Sequence, residues 1–311
     1  MSTGLAAVFF VVSLVVTLYA AAVFADRLDK LGARIGLPEG VLGLLTAAGA
    51  DAPELATAIV AIASGSKSVG FGVVVGSNVF NLAAMIGLTA ILCGSVKLKR
   101  DALALEGGVA LAVTGVVTLL VFGVLPAWAA VTLALLVVVP YAAVAFRREL
   151  GERRHTAELH GGELREPLLL IPPAVAAIVL GSIGMVHSAI RIGHASGIPD
   201  VLVGTLVLAV VTSLPNAYTG IRLGLAGRGS ALVSETMNSN TINLVGGFAI
   251  PALFVSVAGA SGLERADGVW LLAATALALV LLSPGRGIRR PGGVLLVAVW
   301  IAFAVVQAVY G

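Results

Sequence analysis

Apolar runs of about 20 residues, the length a helix needs to cross a bilayer, fill most of this chain. Ten can be read between Gly, Pro and charge clusters, over 5–25, 40–64, 69–93, 102–122, 126–146, 167–190, 200–224, 231–257, 268–283 and 293–310. Only 11% of the 311 residues are charged, whereas a soluble domain carries about 25%. The sequence therefore predicts an all-α membrane protein with ten transmembrane helices, located in the cell membrane.

The distribution of Lys and Arg predicts the orientation of these helices. If the N-terminus lies outside, sixteen of the 19 basic residues fall in inside connections, and only Lys67, Arg191 and Arg265 fall outside. Because basic residues are concentrated on the cytoplasmic side, both termini are predicted to face outward. The net charge of +3 then reflects topology. The lipid bilayer is an expected partner, and nucleic acid is not.

The longest connection, residues 147–166, is dense in charge and is predicted to be a solvated cytoplasmic linker. It divides the chain into halves of five helices each, 1–146 and 167–311. An odd number of helices per half means that a homologous second half is inserted upside down. The expected architecture is therefore two inverted five-helix repeats.

An internal repeat supports this division. A shift of 162 residues aligns residues 49–82 with 211–244 without a gap. Shared Ala, Val, Leu or Gly would be weak evidence in membrane helices, but the matches include the pairs Pro53/Pro215, Ser77/Ser239, Asn78/Asn240 and Asn81/Asn243. We call these two segments the repeat windows.

The repeat windows concentrate the polar residues of the chain. All six asparagines lie in them, and Asp51 and Glu54, three residues apart, share one face of a helix. Pro53 and Pro215 cannot donate a backbone hydrogen bond, so each is predicted to kink or unwind its helix and free a carbonyl. Broken helices at matching points of inverted halves indicate an ion site near the bilayer midplane.

The ligand types in the windows favour hard cations. Carboxylate, amide, hydroxyl and carbonyl oxygens suit Ca²⁺ and Na⁺, whereas thiolates and imidazoles are absent from both windows. The chain has one cysteine and neither an HExxH, a GxSxG nor a GxxxxGK[ST] motif. We therefore expect no enzyme activity, no cofactor and no nucleotide, with inorganic cations as the partners; a monomer is plausible, although the oligomeric state stays open.

The elements GADAPE and GSNVFN, followed by VTSLPN and NSNTIN, resemble the two α-repeats of the sodium/calcium exchanger family, within the cation/Ca²⁺ antiporter superfamily. This resemblance implies central ion ligands at Glu54, Asn81, Asn216 and Asn243. It also implies two flanking sodium sites. One uses Ala209, Thr212 and Ser239 with Glu54, and the other uses Ala47, Ala50 and Ser77 with Asn216.

Three positions depart from the family pattern. Asn216 stands in place of a Glu, Ala50 in place of a Thr and Asp51 in place of a Ser. The site charge is then about −2, supplied by Asp51 and Glu54 alone, which suffices for one Ca²⁺ but leaves fewer places for sodium. Because two adjacent carboxylates resist double ionisation, an arriving cation could also expel a proton.

Further candidate ligands are Ser213, Asn78, Asn240 and Glu235. Glu235 lies on the same helical face as Ser239 and is either an auxiliary ligand or gate acid, or a partner of Arg222 or Arg228. The predicted function is a secondary antiporter that exchanges Ca²⁺ for Na⁺ or H⁺ by alternating access. The alternatives are a monovalent cation (Na⁺ or K⁺)/H⁺ exchanger on the same fold and a cation-binding membrane protein that does not transport.

Overall fold

A computed structural model describes residues 2–34, 49–97, 103–152, 165–255, 260–283 and 287–310. The first part of the chain contains the helices α1 (Thr3–Arg34), α2 (Ala52–Ala63), α3 (Lys67–Val79), α4 (Ile86–Cys93), α5 (Gly108–Val121) and α6 (Ala127–Glu152). The second part contains α7 (Arg165–Ala195), α8 (Asp200–Leu202), α9 (Ala209–Thr212), α10 (Leu214–Leu225), α11 (Gly229–Ile242), α12 (Gly262–Leu281) and α13 (Arg290–Tyr310).

Wider π-helical turns interrupt several of these helices. They are π1 (Phe80–Met85), π2 (Leu103–Gly107), π3 (Val203–Leu208) and π4 (Asn243–Ala249), and a short 3₁₀ turn, Pro251–Leu253, follows π4. Such turns are rare and occur mostly where a helix carries functional groups. Here π1 and π4 contain Asn81 and Asn243, two of the predicted ligands.

Six described helical segments are long and apolar enough to cross a membrane, or seven if the bent pair α8–α9 and α10 counts as one span. They support a multi-pass membrane protein, while the count of ten stays a prediction. The predicted second span begins at residue 40, and its first part lies outside the described residues.

Several helix ends differ from the predicted boundaries. The helix predicted over 268–283 begins at Gly262, because Ser261 and Glu264 form a reciprocal N-terminal cap ahead of the apolar run. Helix α6 continues to Glu152, and α7 already begins at Arg165. Both ends of the predicted linker 147–166 are therefore helical, and residues 153–164 lie outside the described part of the chain.

The order of elements repeats at the spacing found in the sequence. Helix α2 and helix α10 correspond residue for residue after a shift of 162, and α3 with π1 corresponds to α11 with π4 within two residues. The turns after α2 and α10 both use a glycine with positive φ, Gly65 at 89° and Gly227 at 74°. Only glycine adopts this conformation without strain, so the two halves share even their turn chemistry.

Helix α3 lies at the centre of the bundle, and the apolar stretch of the segment that it begins, Lys67–Cys93, is entirely buried. Two glycines allow this. A Cβ on Gly72 would lie 2.9 Å from the backbone of Thr205, and one on Gly76 would overlap the Thr205 carbonyl oxygen. The backbone of α3 therefore touches that of π3, and this contact places Ser77, Asn78 and Asn81 in the interior.

Helices α1 and α7 pack along each other on one side of the bundle. Gly181 and Gly184 face Thr17 and Ser13, so that a Cβ at either glycine would overlap a hydroxyl oxygen. Small residues let membrane helices approach closely in this way.

Connections that the charge pattern assigns to one side lie together. Strand β1 (Ser95–Val96), after α4, pairs antiparallel with strand β2 (Ile288–Arg289), before α13. Gly229, at the start of α11, packs against Val96. The connections after α4, α10 and α12 thus share one face of the protein.

Candidate ion-binding site

Helices break at the two matching points where proline was predicted to break them. Asp51 separates the short helical stretch Gly49–Ala50 from α2, and Ser213 separates α9 from α10. The second break bends the chain by 48°. Pro53 and Pro215 stand in the first turn beyond each break, where the missing N–H of a proline is tolerated.

Two carboxylates meet an amide and a hydroxyl at these breaks. Asp51 and Glu54 are each 1% exposed. Asn216 Nδ2, on α10, donates to Asp51 Oδ1 at 2.8 Å and to Glu54 Oε1 at 3.0 Å. Ser239 Oγ, on α11, donates to Asp51 Oδ1 at 2.6 Å. The first half therefore supplies both negative charges, and the second half supplies the groups that hold them.

Asparagines from both windows form the adjoining layer of the site. Asn78 Nδ2 donates to the backbone oxygen of Asn240 at 3.2 Å, and Asn243 Nδ2 donates to Asn78 Oδ1 at 3.3 Å. Asn81 is fully buried on π1. These contacts join α3 to α11 and π4, so the two windows face each other across the repeat.

Seven buried oxygen atoms of this region have no hydrogen-bond partner among the described residues. They are Asp51 Oδ2, Glu54 Oε2, Asn81 Oδ1, Ser213 Oγ, Asn216 Oδ1, Asn240 Oδ1 and Asn243 Oδ1. An unpaired buried polar atom is costly, and native proteins contain few of them. Carboxylate, amide and hydroxyl oxygens that are buried and unpaired on the two repeat windows are ligand types suited to a hard cation.

The two carboxylates also lack a cationic side chain in the described part of the chain. Their hydrogen-bond partners are Asn216 and Ser239, and the two carboxylates interact electrostatically with each other. Burying a charge without a counter-charge is strongly unfavourable. A bound cation, or a proton, is the group that can balance these carboxylates.

Several predicted residues take other positions. The hydroxyl of Ser77 donates to the Val74 carbonyl at 3.1 Å, and that of Thr212 donates to the Leu208 carbonyl at 2.9 Å, so both bond within their own helices. Ala209 is buried beside α3, and Ala50 is half-buried. The predicted carbonyl ligand Ala47 lies outside the described residues.

Glu235, a further acidic candidate, lies within electrostatic range of the ion site. Its carboxylate is half-buried and interacts electrostatically with Asp51. Arg222, one of the two proposed partners, lies over the Tyr218 ring at 5.5 Å from its centre. The role of Glu235, as an auxiliary ligand or gate acid or as a partner of Arg228, therefore stays a prediction.

A polar cluster that the sequence analysis missed joins π2, α6 and α11. Tyr141 Oη donates to Asn238 Oδ1 at 2.6 Å, and Glu106 lies beside both Ser234 and Tyr141. From its position near the start of a predicted span, Glu106 alone suggests only an interfacial residue. A tyrosine and a glutamate on separate apolar helices carry no shared motif, so only the presence of both within predicted spans could have suggested the cluster.

A helical membrane protein with broken helices around buried, uncompensated carboxylates has the features of a cation exchanger. The comparison with protein families makes this specific. The family model described as sodium/calcium exchanger protein matches residues 5–147 and 168–309 of the chain. The chain therefore belongs to this family. The resemblance seen in the α-repeats is thereby confirmed, as is a multi-pass protein of the cell membrane; the family consists of transporters and not enzymes.

Relatives of known name match over nearly their whole length. The sodium/calcium exchanger MaX1 of Methanosarcina acetivorans is 26% identical, with 91% of this chain and 93% of the relative aligned. The putative antiporter CaxA of Alkalimonas amylolytica is 24% identical, with 96% and 97% aligned.

Two solved structures show the same fold. The sodium-calcium exchanger NCX_Mj, soaked with 2.5 mM Na⁺ and 0.1 mM Ca²⁺, has a TM-score of 0.68 and 19% identity, covering 99% of each chain. The H⁺/Ca²⁺ exchanger CAX has a TM-score of 0.75 and 14% identity, covering 98% of this chain and 85% of that one.

Proposed function

We propose that this exchanger moves Ca²⁺ across the membrane in exchange for Na⁺ or H⁺, by alternating access to one site between the repeat windows. The observation that carries the proposal is the set of seven unpaired buried oxygens on the two repeat windows, two of which belong to Asp51 and Glu54. Two carboxylates neutralise one divalent cation, and Ca²⁺ takes six to eight oxygen ligands.

The contacts suggest a role for each group. Glu54 and Asp51 supply charge, and Asn81, Asn216 and Asn243 supply neutral amide oxygens. Asn78 and Asn240 hold the second layer through their mutual contact. The hydroxyls of Ser213 and Ser239 lie at the carboxylates, whereas Ser77 and Thr212 would have to leave their own helices to bind an ion. The remaining proposed contributors are the carbonyls of Ala47 and Ala209 and the carboxylate of Glu235.

We also propose the inverted topology, with halves 1–146 and 167–311, a cytoplasmic linker 147–166 and both termini outside. The repetition of elements at 162 residues supports two homologous halves. The clustering of the basic connections on one face supports the orientation. Cysteine accessibility on either side of the membrane tests it, with Lys67 and Arg228 replaced one at a time in a Cys93→Ser background.

The choice of coupling ion rests on the departures from the family pattern. With Asn216 in place of a second glutamate, the second half contributes no formal charge at the equivalent positions. Radioactive calcium uptake into proteoliposomes, run in parallel under an outward sodium gradient and an outward proton gradient, identifies the ion. Uptake driven by either gradient supports the proposal, and Glu54→Gln should abolish it. Uptake driven by neither gradient contradicts it.

A monovalent cation/H⁺ exchanger is the second candidate, because the site holds only two carboxylates and an amide bridges them. Sodium or potassium flux that millimolar Ca²⁺ does not inhibit would favour it. Ion binding by the purified protein with no gradient-driven flux would favour a protein that does not transport.

A further inference from the structure

A third buried carboxylate lies outside the repeat windows and outside the proposed function. Asp267, on α12, is 2% exposed, and Gln307, on α13, is 0% exposed. Gln307 Nε2 donates a hydrogen bond to Asp267 Oδ1. This contact joins the last two helices of the chain through a pair of polar side chains that no motif relates.

Each of these two side chains also has an oxygen atom without a hydrogen-bond partner among the described residues. Asp267 Oδ2 and Gln307 Oε1 are both buried and have no partner among the described residues. An ionised carboxylate only accepts hydrogen bonds, and the oxygen of an amide also only accepts. With Asp267 ionised, this pair therefore has one hydrogen bond and two acceptors without a donor, which is an expensive arrangement in a membrane helix bundle.

The charged groups around Asp267 do not supply the donor. On α12 itself, Glu264 caps the helix with Ser261, and the Arg265 guanidinium lies over the Phe122 ring at 6.0 Å. The Arg290 Nε on α13 donates to the Ile91 carbonyl. Helix α12 also packs against α5 and π1, which carry no titratable side chain. It packs against α3 as well, whose only titratable side chain is the exposed Lys67 at its first residue. Helix α13 has one further titratable side chain, Tyr310, at its last residue.

We infer that Asp267 binds a proton and pairs with Gln307 as a neutral acid–amide pair. The acid O–H then supplies the missing donor, so that each group both donates and accepts. The ligand is a proton and not a metal ion, since the pair offers only two unpaired oxygens where the ion site offers seven. The hydroxyl of Thr118, which contacts the neighbouring Gly268, already donates to the Gly268 and Thr114 carbonyls.

Infrared spectroscopy of the purified protein in lipid tests this site directly, without any transport measurement. The wild-type spectrum at neutral pH should contain a protonated-carboxyl C=O band that shifts in D₂O and is missing from Asp267→Asn. Asparagine keeps the shape and offers an N–H to Gln307 Oε1, so the fold should be retained. The matched control Glu264→Gln, three residues earlier, should keep the band.

A second variant protects the test against a folding defect. Gln307→Met leaves Asp267 in place, so the band should remain but move, because the acid has lost its hydrogen-bond partner. Three results would overturn the inference: no difference between wild type and Asp267→Asn, a band unaffected by Gln307→Met, or a band that disappears when Na⁺ is added. Because the readout is independent of ion exchange, its failure would leave the proposed function standing.

Discussion

Replacing Glu54 by glutamine isolates the charge at the ion site. Glutamine has nearly the same volume, and its amide oxygen can still accept the hydrogen bond that Asn216 Nδ2 gives to Glu54 at 3.0 Å. The change removes one of two negative charges that no cationic side chain of the described chain balances. Removing one member of a buried charge pair costs about 3–5 kcal/mol, and tenfold in a dissociation constant is about 1.4 kcal/mol. The Kd for Ca²⁺ should therefore rise by roughly two to three and a half orders of magnitude.

Isothermal titration of Ca²⁺ into the purified protein measures this change. Glu106→Gln is the matched control, because it makes the same chemical substitution in the same bundle at a glutamate that lies beside Ser234 and Tyr141. Its Kd should stay within about threefold of wild type, as for other substitutions away from a binding site. A Glu54→Gln protein with a Kd like that of the control would refute the assignment of charge to this site.

Three further substitutions test the geometry through thermal unfolding of the purified protein. Ser239→Ala removes a 2.6 Å hydrogen bond to a carboxylate and should lower the free energy of unfolding by about 1.5–3 kcal/mol. The equivalent Ser77→Ala loses only a hydrogen bond within its own helix and should have the smaller effect. Equal effects would contradict the difference between the two serine contacts. Asn216→Asp adds a third carboxylate at 2.8 and 3.0 Å from the other two, so the melting temperature should fall without Ca²⁺ and rise more on its addition than in wild type. Gly76→Ala places a methyl group against a backbone oxygen and should destabilise by about 1–3 kcal/mol, whereas Gly108→Ala, with open space around it, should not destabilise; similar melting temperatures for these two variants would argue against the close contact of α3 with π3.

The features that the sequence predicted well depend on backbone chemistry or on local identity. Proline lacks a donor wherever it occurs, so the breaks near Pro53 and Pro215 follow from the residues alone. The repeat windows could be recognised from the Pro, Ser and Asn residues that they share. Because these residues are not favoured by membrane composition, their coincidence at one spacing is enough to indicate a repeat.

The features that it could not predict arise from contacts between distant helices. Ser77 and Ser239 are equivalent in sequence, yet Ser239 donates to the carboxylate of Asp51, whereas Ser77 donates to the Val74 carbonyl of its own helix. The residue equivalent to Asp51 in the second half is the neutral Ser213, which offers no carboxylate. The sequence gives no indication of the Asp267 pair, because the ninth span is predicted to begin one residue later, which places this side chain outside the membrane segment. Its partner is 40 residues away and belongs to no motif.

The one-sided origin of the charges limits how this protein could be rebuilt. A chimera joining two first halves would crowd four carboxylates into one cavity, because the counterparts of Asp51 and Glu54 in the second half are Ser213 and Asn216. A chimera of two second halves would have none at these positions. In the proposed two-half architecture the halves are thus complementary parts, and exchanging one for the other would change the charge of the site.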